Sequence, residues 1–164
     1  MCDRYFLSFD KITYVQGGKP KGCILCNIRD KNDNIVDLSV YRDDFFIVCV
    51  NLYPYNPGHL IVFPQRHMED VRDFTPQEVD RLTILQKEYL FILERLYSPT
   101  GFNIGYNMGL DAGASINHLH LHIIPRYPRE IGISDLIGGK KVLVENPYDT
   151  TKKITQASEY LKEL

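Results

Sequence analysis

At 164 residues, with 44% apolar and 24% charged side chains, the chain has the size and composition of one globular domain, not of a disordered or collagen-like polymer. Its 19 Lys and Arg against 21 Asp and Glu give a net charge of −2, so there is no general basic footprint for nucleic acid or anionic membrane. No run approaches the ~18 consecutive apolar residues of a membrane span.

The first ten residues, Met1 to Asp10, lack the apolar core of a signal peptide, and Cys2 stands where N-myristoylation needs glycine. Of the four cysteines, Cys2 and Cys49 are isolated, while Cys23 and Cys26 form a C-x-x-C pair. That is not a secreted disulfide framework, so a cytoplasmic location with reduced thiols is expected. In such a setting the pair reads as a metal half-site or a redox pair, and no Trp-Cys-Gly context favours the latter. Residues 16–22 read as a loop leading into Cys23, and Lys31 to Asn34 as a turn. Asp37 to Tyr41 predicts a strand. Phe45 to Val50 is a continuous apolar run that suits a buried strand. Tyr53-Pro54-Tyr55-Asn56-Pro57-Gly58 breaks it, and His59 to Phe63 predicts the next strand, ended by Pro64.

Thr75-Pro76-Gln77-Glu78 predicts a helix start: Thr75 as cap, Pro76 where a missing N–H costs nothing, Glu78 completing a capping box. Leu82, Leu85, Tyr89, Ile92, Leu93 and Leu96 follow at helical spacing as its buried stripe, and the helix stops near Ser98 to Gly101. Phe102 to Met108 predicts a strand, Gly109 to Asn117 a loop, and His118 to Ile124 a strand ended by Pro125. Asp149 to Leu164 predicts a second, more polar helix. Strands in runs around one long helix imply an α+β domain with antiparallel pairing of about five strands.

The chemistry concentrates at His118-Leu119-His120-Leu121-His122-Ile123-Ile124. Alternate residues of a strand share a face, about 6.6 Å apart, which puts the three histidines on one side and Leu119, Leu121 and Ile123 toward the core. Such a row is either a metal cluster or a nucleophilic and acid–base row. Three rings at that spacing converge poorly on one ion, whose Zn–N bonds are only about 2.0–2.1 Å. A neutral imidazole near pH 7 can instead attack phosphorus and form a phosphoramidate. Upstream, Asn107 to Ser115 supplies a glycine-bearing loop. Gly113 permits close backbone approach, successive N–H groups there could form an anion nest, and Ser115 and Asn107 add neutral donors.

The motif at 118–124 resembles the signature of the histidine triad proteins, nucleotide hydrolases and transferases. Further matches cover about residues 22–128: Asn51, the Pro57-Gly58-His59 turn, Asn107, Gly113 and Ser115. Within the family the likeness is to the diadenosine polyphosphate phosphorylase and hydrolase branch, through Asn51 to Leu60, Asn103 to Gly109, Ala112 to Ala114, Ile124-Pro125-Arg126, and Gly139 to Glu145. Ala114 stands where many triad hydrolases carry Gln, which leans toward phosphate as acceptor. The segment Glu130 to Leu136 departs from the phosphorylase pattern. His122 in the third position, not Gln, argues against a hexose-1-phosphate uridylyltransferase.

The resemblance implies a single domain over 1–164, with its core at about 22–128 and a C-terminal extension over 129–164. It implies a homodimer whose sheets join into one, and a purine nucleotide substrate. His120 would be the nucleophile and His122 the contact to the α-phosphate and leaving-group side, with His118 supporting the strand. Asn51 would hold the ribose, and Asn107, Gly113 and Ser115 the phosphates, with His59 in the substrate-binding turn. Apolar residues around Phe46 and Val48 are the expected base sandwich. Some members also hold zinc with two Cys and two His; the matching residues are Cys23, Cys26, His67 and His118. The activity so implied is cleavage of dinucleoside polyphosphates through a nucleotidyl-histidine. A nucleoside phosphoramidase and a non-catalytic nucleotide sensor are the alternatives. A zinc-stabilised interaction module would leave the histidine row unexplained.

Overall fold

The structure is a computed structural model that describes residues 22–128 and 145–162. The likenesses read at Gly139–Val144 and the departure at 130–136 lie outside those residues. In chain order the elements are α1 (Ile24–Arg29), β1 (Ser39–Arg42), β2 (Phe46–Val50), β3 (Leu60–Pro64), α2 (Pro76–Tyr97), β4 (Gly101–Tyr106), β5 (Leu121–Arg126) and α3 (Pro147–Lys162). The five strands form one sheet, order β1-β2-β3-β5-β4, and every neighbouring pair is antiparallel. The domain is therefore α+β, as the run of strands around one long helix requires.

Every residue of β2 and β3 is buried, which is why both read as unbroken apolar runs. Phe46 and Val48 are each 0% exposed, so the expected base sandwich cannot form from them: they are already packed inside the core. The long helix starts as its sequence demands. The Thr75 side chain accepts from the Glu78 N–H, and the Glu78 carboxylate accepts from the Thr75 N–H at 2.7 Å. It ends at Ser98, which sits in the left-handed region at φ 46°. Leu82, Leu85, Tyr89, Ile92 and Leu93 join the core, but Leu96, at 36% exposure, does not; it follows the last buried turn. Helix α3 packs on α2 and on β1 and β2, with Ile154 fully buried.

One element was missed and one boundary moves. Helix α1 lies between the loop read at 16–22 and the turn read at 31–34; six residues without a side-chain cap are too few to print a helical period. Strand β5 begins at Leu121, not His118, and runs through Pro125 to Arg126. Pro125 is tolerated because its pairing with β3 has ended at Ile123, so no ladder bond is lost there. Its carbonyl instead accepts from the buried Asn56 side chain at 2.6 Å.

Candidate active site and metal centre

Burial alternates along β5, with Leu121 and Ile123 buried and His122 half-buried, so the period-two reading holds there; just before it His118, Leu119 and His120 are all buried. The three histidines do not act as one row. His118 turns to a group of cysteines, while His120 and His122 form a pair whose ring centroids are 4.8 Å apart.

His118 donates from Nε2 to the Pro64 carbonyl at 2.9 Å. A neutral ring carries one proton, so its Nδ1 is left with a lone pair. That Nδ1 lies 3.4 Å from Cys23 Sγ and 3.6 Å from Cys26 Sγ, and Cys26 Sγ lies 3.4 Å from His67 Nδ1. The ligand atoms of Cys23, Cys26, His67 and His118 all lie within 4.8 Å of one another. Metal–sulfur and metal–nitrogen bonds of ~2.3 and ~2.05 Å meeting at a tetrahedral angle separate S from N by about 3.6 Å, so the donor set fits a tetrahedral ion. Two cysteines three apart on one helical turn face the same way, and α1 is what gives them that spacing.

The His120–His122 pair is set by its hydrogen bonds. His120 Nδ1 donates to the His118 carbonyl at 2.7 Å, which leaves a lone pair on Nε2. Burial keeps this ring neutral by lowering its pKa below the usual histidine value. His122 sits in β5 opposite Ile61, and His59, two residues before Ile61, projects from the same face of that strand line. His59 Nε2 therefore reaches His122 Nδ1 at 3.0 Å. The Tyr55 N–H donates to His59 Nδ1 at 3.1 Å, so the single proton of neutral His59 is on Nε2 and points to His122. Burial, reinforced by His122 and His120, takes His59 down to about 3, and burial with the charge of His120 takes His122 down to about 4. His122 then carries its proton on Nε2. Sequence reading put His59 at the start of a strand and in the substrate-binding turn; its contact with His122 depends on the β3–β5 register, which the sequence does not print. Tyr55, whose ring stacks on His59 at 5.4 Å and 16°, carried no such signal.

Asn51 is half-buried beside this pair. Its Oδ1 accepts from the Tyr53 N–H at 3.0 Å, and its Nδ2 lies 3.4 Å from His59 Nε2, a nitrogen already committed to His122. The Asn51 amide protons thus remain available. In the loop before His118, Gly113 has φ +86°, and a Cβ there would stand 3.9 Å from Asn107 Nδ2, so Gly113 and Asn107 are neighbours. The expected anion nest needs correction. The Gly113 N–H donates to the Leu110 carbonyl at 2.9 Å and the Ala114 N–H to the Gly109 carbonyl at 3.2 Å, because residues 110–112 close a 3₁₀ turn. Half-buried Asn107 and exposed Ser115 remain as the loop's side-chain donors.

A sequence model of the HIT domain matches residues 32–129. Among curated relatives, the "AP-4-A phosphorylase" of Mycobacterium tuberculosis is 37% identical over 116 residues, covering 70% of this chain and 60% of that protein. The "Bis(5'-nucleosyl)-tetraphosphatase [asymmetrical]" of Schizosaccharomyces pombe is 37% identical over 97 residues, covering 59% of this chain and 53% of that protein. The chain thus spans little more than half the length of these relatives. Among solved structures, a Zn-bound histidine triad family protein from Mycobacterium smegmatis superposes with a TM-score of 0.70 at 21% identity, over 87% of this chain and 96% of that one, a likeness of fold alone.

Proposed function

We propose, from the premise that this chain belongs to the HIT domain family, that it cleaves dinucleoside polyphosphates by double displacement at an α-phosphorus. One observation carries the reading: His120 and His122 stand side by side with opposite tautomers, one offering a lone pair on Nε2 and the other a proton on Nε2. In the first step His120 Nε2 attacks the α-phosphorus. The bond to the bridging oxygen breaks and the remaining nucleotide leaves with that electron pair. The His122 Nε2–H, with Ser115 and Asn107, supplies donors for charge on the phosphoryl oxygens. Water or inorganic phosphate then attacks the nucleotidyl-His120 and frees the ring. Asn51 holds the ribose hydroxyls through its uncommitted amide protons. The names of the two 37%-identical relatives support both acceptors.

Cys23, Cys26, His67 and His118 would hold zinc, with all four positions filled by protein so that the ion serves structure and not Lewis-acid chemistry. A homodimer fits the sheet: among the described residues β4 pairs only with β5, and its exposed Asn103, Ile104 and Gly105 carry no charge that would repel a second copy. Residues 1–164 are read as one such domain, in a cytoplasmic protein; among the described residues no helix is long and apolar enough to cross a membrane.

The test is incubation with diadenosine tetraphosphate, with and without phosphate. AMP plus ATP reports water as acceptor, and ADP plus ATP reports phosphate. Absence of either pair, with adenosine phosphoramidate cleaved instead, would replace the reading with a phosphoramidase.

A further inference from the structure

A capping-box glutamate ordinarily lies at the surface, since a buried carboxylate must recover its lost hydration. Glu78 is 5% exposed. One oxygen accepts from Arg66 Nε at 2.7 Å; the other accepts from a second Arg66 nitrogen at 2.9 Å and from Thr75 N and Oγ1 at 2.7 and 3.0 Å. The same Arg66 also donates to the Asp73 carbonyl. The fork is bidentate, which fixes the guanidinium in direction as well as distance. Arg66 immediately precedes His67.

His67 is the least constrained member of the cysteine–histidine group. Cys23 and Cys26 belong to one helical turn, and His118 is buried and tied to Pro64, whereas His67 is exposed on the loop after β3. Its Nε2 stands 3.7 Å from Glu69 Oε1, beyond hydrogen-bond range. The loop is clamped elsewhere. The Gln65 N–H donates to the Phe45 carbonyl at 2.8 Å, Arg29 donates to the Gln65 carbonyl at 2.9 Å, and the Leu119 N–H donates to the Met68 carbonyl at 2.7 Å. Between those clamps, the direction of the 66–67 peptide rests on the Arg66–Glu78 fork.

We propose that Arg66 and Glu78 are positioning residues for the metal group: the carboxylate that caps α2 also aims His67 Nδ1 at the cysteine sulfurs. This rests on the metal reading above. Helix capping alone would not require the arginine, because Thr75 and Glu78 satisfy each other without it. Aiming a ligand does require it.

The experiment titrates metal-stripped, reduced full-length protein with Co²⁺ and then Zn²⁺. It reads the cobalt–thiolate bands and the zinc dissociation constant by chelator competition. Arg66→Met, Arg66→Lys and Glu78→Gln should each weaken zinc by about 10–100-fold, the scale of lost ligand support. Lysine should fail to rescue because it keeps the charge but loses the fork. Against His67→Gln, which already lacks the ligand, Arg66→Met should add no further loss. Glu78→Gln keeps the cap, and its apo protein should stay folded by circular dichroism, separating misfolding from misaiming. Zinc affinity within twofold of the parent in Arg66→Met, or a full additional loss in the double variant, would overturn the proposal. A parent protein that binds neither ion would overturn the metal reading, and this proposal with it.

Discussion

His59 Nε2 and His122 Nδ1 stand 3.0 Å apart, a contact made across the sheet between residues 63 positions apart in the chain. The direction of that hydrogen bond is fixed from behind by the Tyr55 N–H, so His59 acts on His122 as a tautomer lock. His59→Phe should remove the lock with little change in volume, and kcat should fall by about 10²-fold, the scale of one positioned donor. KM should change much less, because the variant leaves the Asn51 amide in place. Steady-state kinetics on diadenosine tetraphosphate decides this; an unchanged kcat would mean that His122 needs no lock.

His120→Asn should lose several orders of magnitude in kcat/KM while nucleotide binding survives, since no neighbouring group offers a lone pair in the same place. Retention of a tenth or more of kcat/KM, a loss of only ~1.4 kcal/mol in transition-state stabilisation, would place the nucleophile elsewhere. Trapping of a labelled nucleotidyl-enzyme on rapid acid quench should be lost with it.

The helix over 76–97, the buried strands and the C-terminal helix were legible because each prints its period or its cap in consecutive residues, as Thr75, Pro76 and Glu78 do. The split of the triad was not. Period two correctly put Leu119, Leu121 and Ile123 inward, yet it could not say that His118 would turn to Cys23, 95 residues away. That depends on α1, whose six residues are too short to be read. The resemblance, not the period, named His118 together with His67 and both cysteines as ligand positions, and the structure brings their ligand atoms together. Phe46 and Val48 failed as base contacts for a simple reason: proximity in sequence to Asn51 says nothing of which positions the packing leaves open, and both are 0% exposed.

Gly58 leads into β3, and among the described glycines it is the one where an added Cβ would be most crowded. Its φ is +79°, and an added Cβ would meet Leu93 Cδ2 at 3.0 Å and Pro125 and Tyr97 at 3.2 Å. Gly58→Ala combines a left-handed backbone cost of about 1–2 kcal/mol with core overpacking of about 1–3 kcal/mol. Urea unfolding should show a loss of about 2–5 kcal/mol. A loss below ~1 kcal/mol would mean that α2 yields at Leu93.

The Arg66 guanidinium holds the Glu78 carboxyl down at about 2, below its unfolded value. The stabilisation is therefore present above the unfolded pKa of ~4.3 and lost as pH falls toward 2. The Arg66 side chain is 45% exposed, so the pair is worth about 1 kcal/mol at neutral pH. Glu78→Gln should narrow its stability gap from the parent as pH drops from 6 to 3, measured by chemical unfolding of metal-free protein. A gap constant with pH would mean that the charge on Glu78 contributes nothing.

His118 answers to two masters through different atoms. Its ring faces the cysteines, and its peptide carbonyl accepts the hydrogen bond donated by His120 Nδ1. A carbonyl belongs to every amino acid, whereas the ring belongs to one. Replacement of His118 by alanine should therefore be uneven in effect: the proposed metal group would lose a ligand outright, while the hydrogen bond from His120 Nδ1 would keep its acceptor. The first histidine of the motif is, in that sense, replaceable as chemistry and irreplaceable as architecture.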